Sequence, residues 1–184
     1  EQIEDEHYSL EHLIPEVVEV ARSYAGQKNI PVIAAGGIAT GEDIARFMAL
    51  GASAVQMGSI FVPTEECDAS VEFKKVYLNA HREDIRIIQS PVGMPGRAFD
   101  GEFIRNVAEG KEKPRSCPFH CIKTCDYTKS PYCIIKALYN AARGNMKKGY
   151  AFAGGNAYLS DRIRSVKEVI EKLKADFFLS KALL

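Results

Sequence analysis

Two short turns hold the residues best suited to chemistry in this chain of 184 residues. Ala34-Ala35-Gly36-Gly37-Ile38 and Gln56-Met57-Gly58-Ser59 each follow a short apolar run. Glycine lets the backbone approach an anion closely and turn its N–H groups toward it. Proteins with parallel sheets place ligands at the carboxyl ends of their strands. Two such turns on neighbouring strands, 21 residues apart from Gly37 to Gly58, would form one cradle for one phosphate. Ser59 would add a hydroxyl donor. A tight turn with close helix packing is the plainer use of a lone Gly-Gly pair, but the repetition favours a phosphate.

The second group is Cys117, Cys121, Cys125 and Cys133, spaced C-x3-C-x3-C-x7-C with His120 inside. Four thiolates and an imidazole can hold zinc or an iron–sulfur cluster. The spacing lacks the C-x2-C knuckle of most structural zinc sites, and Pro118 and Pro131 stiffen separate turns. The expectation is therefore no metal, with reduced thiols dispersed and individually buried among Phe119, Tyr132 and Ile134. Cys67 stands alone, with no His or Asn partner placed by the sequence. His7 sits beside Glu4, Asp5 and Glu6 in what looks like an exposed loop, and His12 and His81 fall on helical stretches. Arg97 lies in a loop rich in Pro and Gly, where it can reach a carboxylate or phosphate or simply anchor the loop.

These residues need elements to position them. Leu10, Leu13, Ile14, Val17, Val18, Ala21 and Tyr24 recur at helical spacing, predicting a helix over 9–25, with a start near Ile14 if Pro15 marks the first turn. Residues 30–35 and 52–57 form two short runs that read as strands buried on both faces. Between them Thr40 and Asp43 predict a capping box, and Gly51 predicts the helix end. Strand, helix and strand make a βαβ unit with parallel strands and a right-handed crossover. Further on, residues 70–82 read as helix, 85–89 as a strand, 90–96 as a loop and 103–108 as helix. Ile134, Ile135, Leu138 and Ala142 form a helix ended by Gly144. Ser160 is the expected cap of a last helix faced by Ile163, Val166, Val169, Ile170 and Leu173. Three segments follow: 1–66 with the phosphate turns, 67–110 as a helix and loop segment, and 111–184 as a helical, Cys-rich tail.

Composition bounds the function. The chain is 46% apolar and 26% charged with a formal net charge of zero, which excludes wholesale disorder and a basic field for nucleic acid. No apolar run reaches the roughly 20 residues of a membrane helix, nothing reads as a signal peptide, and five cysteines fit no fully paired framework. A cytoplasmic setting is expected. The zero hides an asymmetry: residues 1–20 hold seven acids and no Lys or Arg, while residues 111–149 hold nine bases against two acids. A solvated face, or a match to the acidic start, is the ordinary use of such a run. A docking face for an acidic partner is the other.

Ile-Pro-Val-Ile-Ala-Ala-Gly-Gly-Ile (30–38) and Gly-Ala-Ser-Ala-Val-Gln-Met-Gly-Ser-Ile-Phe (51–61) closely resemble the last two strands of the nitronate monooxygenases. That family, formerly the 2-nitropropane dioxygenases, is sister to the flavin-dependent enoyl-acyl-carrier-protein reductases. The resemblance continues through Gly93-Met-Pro-Gly-Arg97, Lys123-Thr-Cys-Asp126, Pro131-Tyr-Cys-Ile134 and Gly154-Gly-Asn-Ala-Tyr158. It implies an α/β fold, the C-terminal portion of an FMN-binding (β/α)8 TIM barrel followed by the Cys-rich tail. It also implies a phosphate grip by Ala35, Gly36, Gly37, Gln56, Met57, Gly58 and Ser59. The family's catalytic histidine lies in a Gly-Gly-His loop, and no Gly-Gly-His occurs in this sequence. A whole barrel takes about 250 residues, and the chain begins Glu1-Gln2-Ile3 without Met. The expectation is the C-terminal fragment of an FMN-dependent oxidoreductase, inactive alone, acting on a nitronate-type small molecule once joined to its missing N-terminal half or a partner chain. An enoyl reductase fragment, or a standalone phosphate- or metal-binding module, are the alternatives.

Overall fold

In the computed structural model residues 6–24, 26, 30–123 and 125–183 are described. Glu1, Glu4 and Asp5 of the acidic start, Ala25 at the expected helix end and Thr124 of the Lys123–Asp126 motif lie outside them. The chain divides into two units, one of Glu1–Phe61 with Arg164–Leu184 and the other of Val62–Ile163. This differs from the three segments expected. The first break falls at Phe61, no break falls near 110, and the last helix returns to the first unit.

In the first unit, helix α1 (Leu10–Tyr24) presents Ile14 and Val18 to the core at i, i+4 spacing. Pro15 lies inside α1 on its exposed side, so it removes one backbone bond without ending the helix. Strand β1 (Ile33–Ala35) pairs in parallel with β2 (Ala54–Gln56), register Ile33↔Ala54 to Ala35↔Gln56. Helix α2 (Gly41–Ala49) connects them, capped as expected: Asp43 N–H donates to Thr40 Oγ1 at 3.0 Å, while Thr40 N–H donates to Asp43 Oδ2 at 3.1 Å. Ala34 packs with Ile14, Val18, Ile38, Phe47 and Ala52. The strands are not buried on both faces. Ile33 is 57% exposed, and Ala35, Ala54 and Gln56 are exposed with it. The helices supply one covering layer, and among the described residues of this unit nothing covers the other face.

The last helix, α6 (Val166–Lys181), also corrects the expected start. Its cap is Ser165, in a box with Glu168, and not Ser160. Leu173 is its buried anchor, Ile163 precedes the helix, and Ile170 is 39% exposed. α6 packs so tightly on α2 that a Cβ on Gly41 would lie 2.3 Å from the Phe177 nitrogen and 2.4 Å from the Leu173 oxygen. Only a residue without a side chain fits there.

In the second unit α3 (Val71–Leu78) leads to β3 (Ile85–Ile88), which pairs antiparallel with β4 (Gly96–Phe99). β4 overlaps the expected loop at its first residue. It is a strand because residues 151–153 hold its other edge: Ala153 N–H donates to the Arg97 oxygen at 2.9 Å and Phe99 N–H to the Ala151 oxygen at 3.1 Å. α4 (Glu102–Ala108) and α5 (Ile134–Ala142) complete the unit. Its core is aromatic. Phe103 stacks on Tyr150 at 6.0 Å, and Tyr132 meets both rings edge-on at 5.4 and 5.6 Å. Tyr132 donates to the Tyr150 hydroxyl at 3.2 Å, and Tyr77 donates to the Phe152 oxygen at 2.6 Å. No described helix is long and apolar enough to cross a membrane.

Burial pushes the Tyr77, Tyr132 and Tyr150 hydroxyls above the ordinary tyrosine value. The folded chain then keeps protons that the unfolded chain loses above about pH 10. Stability is complete below that pH and falls as pH rises through the folded values. Thermal unfolding followed from pH 8 to 11 should show a melting temperature that drops above pH 10, with tyrosinate absorbance of these three residues appearing only on unfolding. A melting temperature flat to pH 11 would contradict it.

Candidate functional site

Because β1 and β2 run parallel, their carboxyl ends lie at the same end of the sheet, and the paired residues Ala35 and Gln56 bring the two turns side by side. Gly36 and Gly37 have φ of 108° and 68°. Consecutive residues of this kind are glycine conformations, and they turn backbone N–H groups out of the strand direction. A Cβ at Gly36, Gly37 or Gly58 would meet no atom within 4 Å. These glycines therefore serve no packing contact, and the space beside all three turn backbones is open.

The other turn residues divide by exposure. Ala35, Gly36, Gln56 and Gly58 are exposed, whereas Gly37 and Ser59 are half-buried. Met57 packs against the core around Phe47, so its backbone is what it offers a ligand. The start of α2 already holds an anion of its own. Asp43 Oδ2 takes the Ala39 and Thr40 N–H groups at 3.0 and 3.1 Å and puts a negative charge there. That internal carboxylate disfavours a second anion at the start of α2.

The second unit holds the cysteines. Cys117, Cys121, Cys125, Cys133 and His120 line one cavity of about 240 Å³, with Tyr127, Tyr132, Ile122 and Ile134. The four thiols thus share one cavity instead of being individually buried, and Phe119 is not among its walls. The loop from Pro114 to Cys133 folds around a common space, which no helical period in the sequence describes. All four are free thiols, with Cys121 exposed and the others half-buried. Partial burial pushes the Cys125 thiol up, and Cys117, Cys121, Cys133 and Asp126 add to the shift. Among the described residues no three Cys, His, Asp or Glu side chains stand close enough to hold a single metal ion.

The remaining candidates are peripheral. His7 is exposed on a short 3-10 turn, its ring 6.0 Å from that of His12, which bonds Ser9 Oγ at 3.0 Å. His81 follows α3 instead of lying on it, and its N–H donates to Asp84 Oδ2 at 2.8 Å. Cys67 is half-buried and lies near Tyr77, whose hydroxyl it helps to push up. Arg97 lies on β4, its Nη1 3.2 Å from where a Gly155 Cβ would be, and Gly96 sits under the Phe152 ring. The two motifs 93–97 and 154–158 thus pack on each other, which supports anchoring as the role of Arg97. Of the basic excess, Lys111 pairs with Glu109, and Lys129 pairs with Asp126 at 3.3 Å.

Known proteins resemble the chain in sequence and fold. A Staphylococcus aureus (strain Newman) protein described as a probable nitronate monooxygenase is 32% identical over 160 residues, covering 86% of this chain and 43% of its own length. FabK from Thermotoga maritima superposes with a TM-score of 0.72 at 31% identity, over 95% of this chain and 50% of its own. Nitroalkane oxidase from Streptomyces ansochromogenes superposes with a TM-score of 0.69 at 25% identity, over 96% and 45%. The chain thus has an α/β fold similar to these enzymes and spans half or less of the length of each. The sequence profile described as nitronate monooxygenase matches residues 1–176, and the chain belongs to the nitronate monooxygenase family.

Proposed function

We propose that this chain supplies the phosphate-holding end of the FMN site of a flavin-dependent oxidoreductase, within the C-terminal portion of a (β/α)8 barrel. The observation that carries this reading is the pair of open glycine turns at the carboxyl ends of β1 and β2. Backbone groups of Ala35, Gly36, Gly37, Gln56, Met57, Gly58 and Ser59 hold the phosphate dianion, with no lysine or arginine among them. FMN supplies the redox chemistry when bound. The bare apolar face of the sheet, with Ile33 57% exposed, fits a layer contributed by the rest of the barrel or by a partner chain. The same source would supply the contacts to the flavin ring and the histidine that removes a proton from a nitronate-type carbon acid. Five unpaired cysteines suit a cytoplasmic setting. The likeness to FabK favours a second substrate class, an enoyl thioester reduced at the same flavin.

The test compares FMN with riboflavin, which lacks the phosphate. Purified chain should bind FMN at least tenfold more tightly than riboflavin, a difference of about 1.4 kcal/mol, and inorganic phosphate should compete. Equal affinity for the two, or no FMN binding, defeats the phosphate assignment. Nitronate oxidation and enoyl reduction by the chain alone should stay far below a typical turnover of about 10 s⁻¹. A rate near that value would place the proton-removing residue inside this chain.

A further inference from the structure

The thiol cavity in the second unit has no part in the flavin reading. Four cysteines within a span of 16 positions line one space of about 240 Å³, walled also by Ile122, Ile134, Tyr127 and Tyr132. The loop reaches this shape at a cost: His120 has φ of 44°, a left-handed conformation that a non-glycine residue rarely adopts. Pro118 and His120 together keep the Cys117 to Cys121 stretch out of a helix and wrap it around the cavity.

A single zinc ion does not suit this geometry. It would need its sulfurs at roughly 2.3 Å from one centre, hence within about 4 Å of each other. No three described ligand side chains are that close. A four-iron cluster is different, because each thiolate binds its own iron and the sulfurs stand apart around the cluster's corners. Four thiolates leave such a cluster anionic. The adjoining cavity, which shares Pro114, Ser116, Tyr132 and Cys133, is lined by Lys113, Arg115, Lys136 and Lys148 against Glu112. That excess of positive charge offsets an anion held next door.

We propose that Cys117, Cys121, Cys125 and Cys133 hold a [4Fe–4S] cluster that staples the 114–133 loop to the start of α5. Assembly is a ligand exchange: each cysteine gives its S–H proton to the small-molecule thiolate that it displaces from a preformed [4Fe–4S] cluster. Four Fe–S bonds form as four break, and no iron changes oxidation state. No oxidation of the protein is involved.

The experiment is anaerobic incubation of the full chain with a preformed [4Fe–4S] cluster carried by a small-molecule thiolate, followed by desalting and elemental analysis. About four irons and four acid-labile sulfides per chain are expected. Alkylation should then find one reactive thiol, Cys67, where the untreated chain offers five. Cys117→Ser, Cys121→Ser, Cys125→Ser and Cys133→Ser should each lower iron and sulfide at least twofold, while Cys67→Ser keeps the parent content. Failure of a serine variant to fold does not blunt the test, since the metal content and thiol count of the parent chain decide it. No retained iron, iron without sulfide, a single zinc, or five thiols still reactive after reconstitution overturns the assignment.

Discussion

Gly149→Ala should destabilise the second unit by about 3 kcal/mol, the upper part of the range for forcing atoms into a packed interior. The glycine is needed for space and not for its dihedral angles, since φ of −161° is extended backbone. A Cβ there would lie 2.1 Å from the Ala137 oxygen and 2.7 Å from the Ala141 nitrogen. Both are backbone atoms of α5 and cannot swing aside. The stretch before Tyr150 must lift off the helix, and Tyr150 is 1% exposed at the centre of the Phe103–Tyr132 ring cluster. Gly96→Ala makes the control. Its nearest neighbour is the Phe152 ring at 2.6 Å, a side chain that can rotate, so about 1 kcal/mol is expected. Urea unfolding with unchanged slope should separate the two variants by their midpoints. A Gly149→Ala midpoint equal to that of the parent would mean that residues 148–150 do not lie against α5 as described.

The contrast between these two glycines shows what could be read from the residues alone. Local rules were legible: the Thr40 and Asp43 box, the stop at Gly51, the helical spacing of Ile14 and Val18, and the parallel pair around α2 follow from neighbours in sequence. The Ser165 cap carried a signal that was available, because Ser165-Val-Lys-Glu168 satisfies the S-x-x-E box and Ser160-Asp-Arg-Ile163 does not. What was hidden depends on distant partners. Pro95 and Gly96 read as turn residues, and β4 exists only because residues 85–88 and 151–153 hold its two edges. Strands apolar on both sides were legible in residues 30–35, but whether a layer covers each side is a tertiary fact, and one side is bare. The cysteine spacing described ligands without describing the path of the loop. For the phosphate site, residue types were legible, and the positive φ values of Gly36 and Gly37 with the open space beside them add the geometry that composition lacks.

Gly58→Val should lower FMN affinity at least tenfold, about 1.4 kcal/mol, while leaving stability within about 0.5 kcal/mol of the parent. Gly58 separates binding from folding because its φ lies outside the left-handed region and a Cβ there would touch nothing within 4 Å. A valine needs no left-handed backbone, and its Cβ meets no packed atom. It does fill the space beside the turn where the phosphate is proposed to sit, and it stops a ligand from reaching the backbone. Gly36→Val and Gly37→Val are less informative, since their φ of 108° and 68° would add a backbone cost of about 1–2 kcal/mol each. Affinity lost there would be hard to tell from a distorted β1. Riboflavin provides the internal reference: with no phosphate to displace, its weaker binding should change less than twofold in Gly58→Val. If FMN and riboflavin lose affinity equally, the valine obstructs the ring and the phosphate lies elsewhere. If neither loses any, the open space between the β1 and β2 turns is not where the cofactor binds, and family membership alone would no longer justify placing it there.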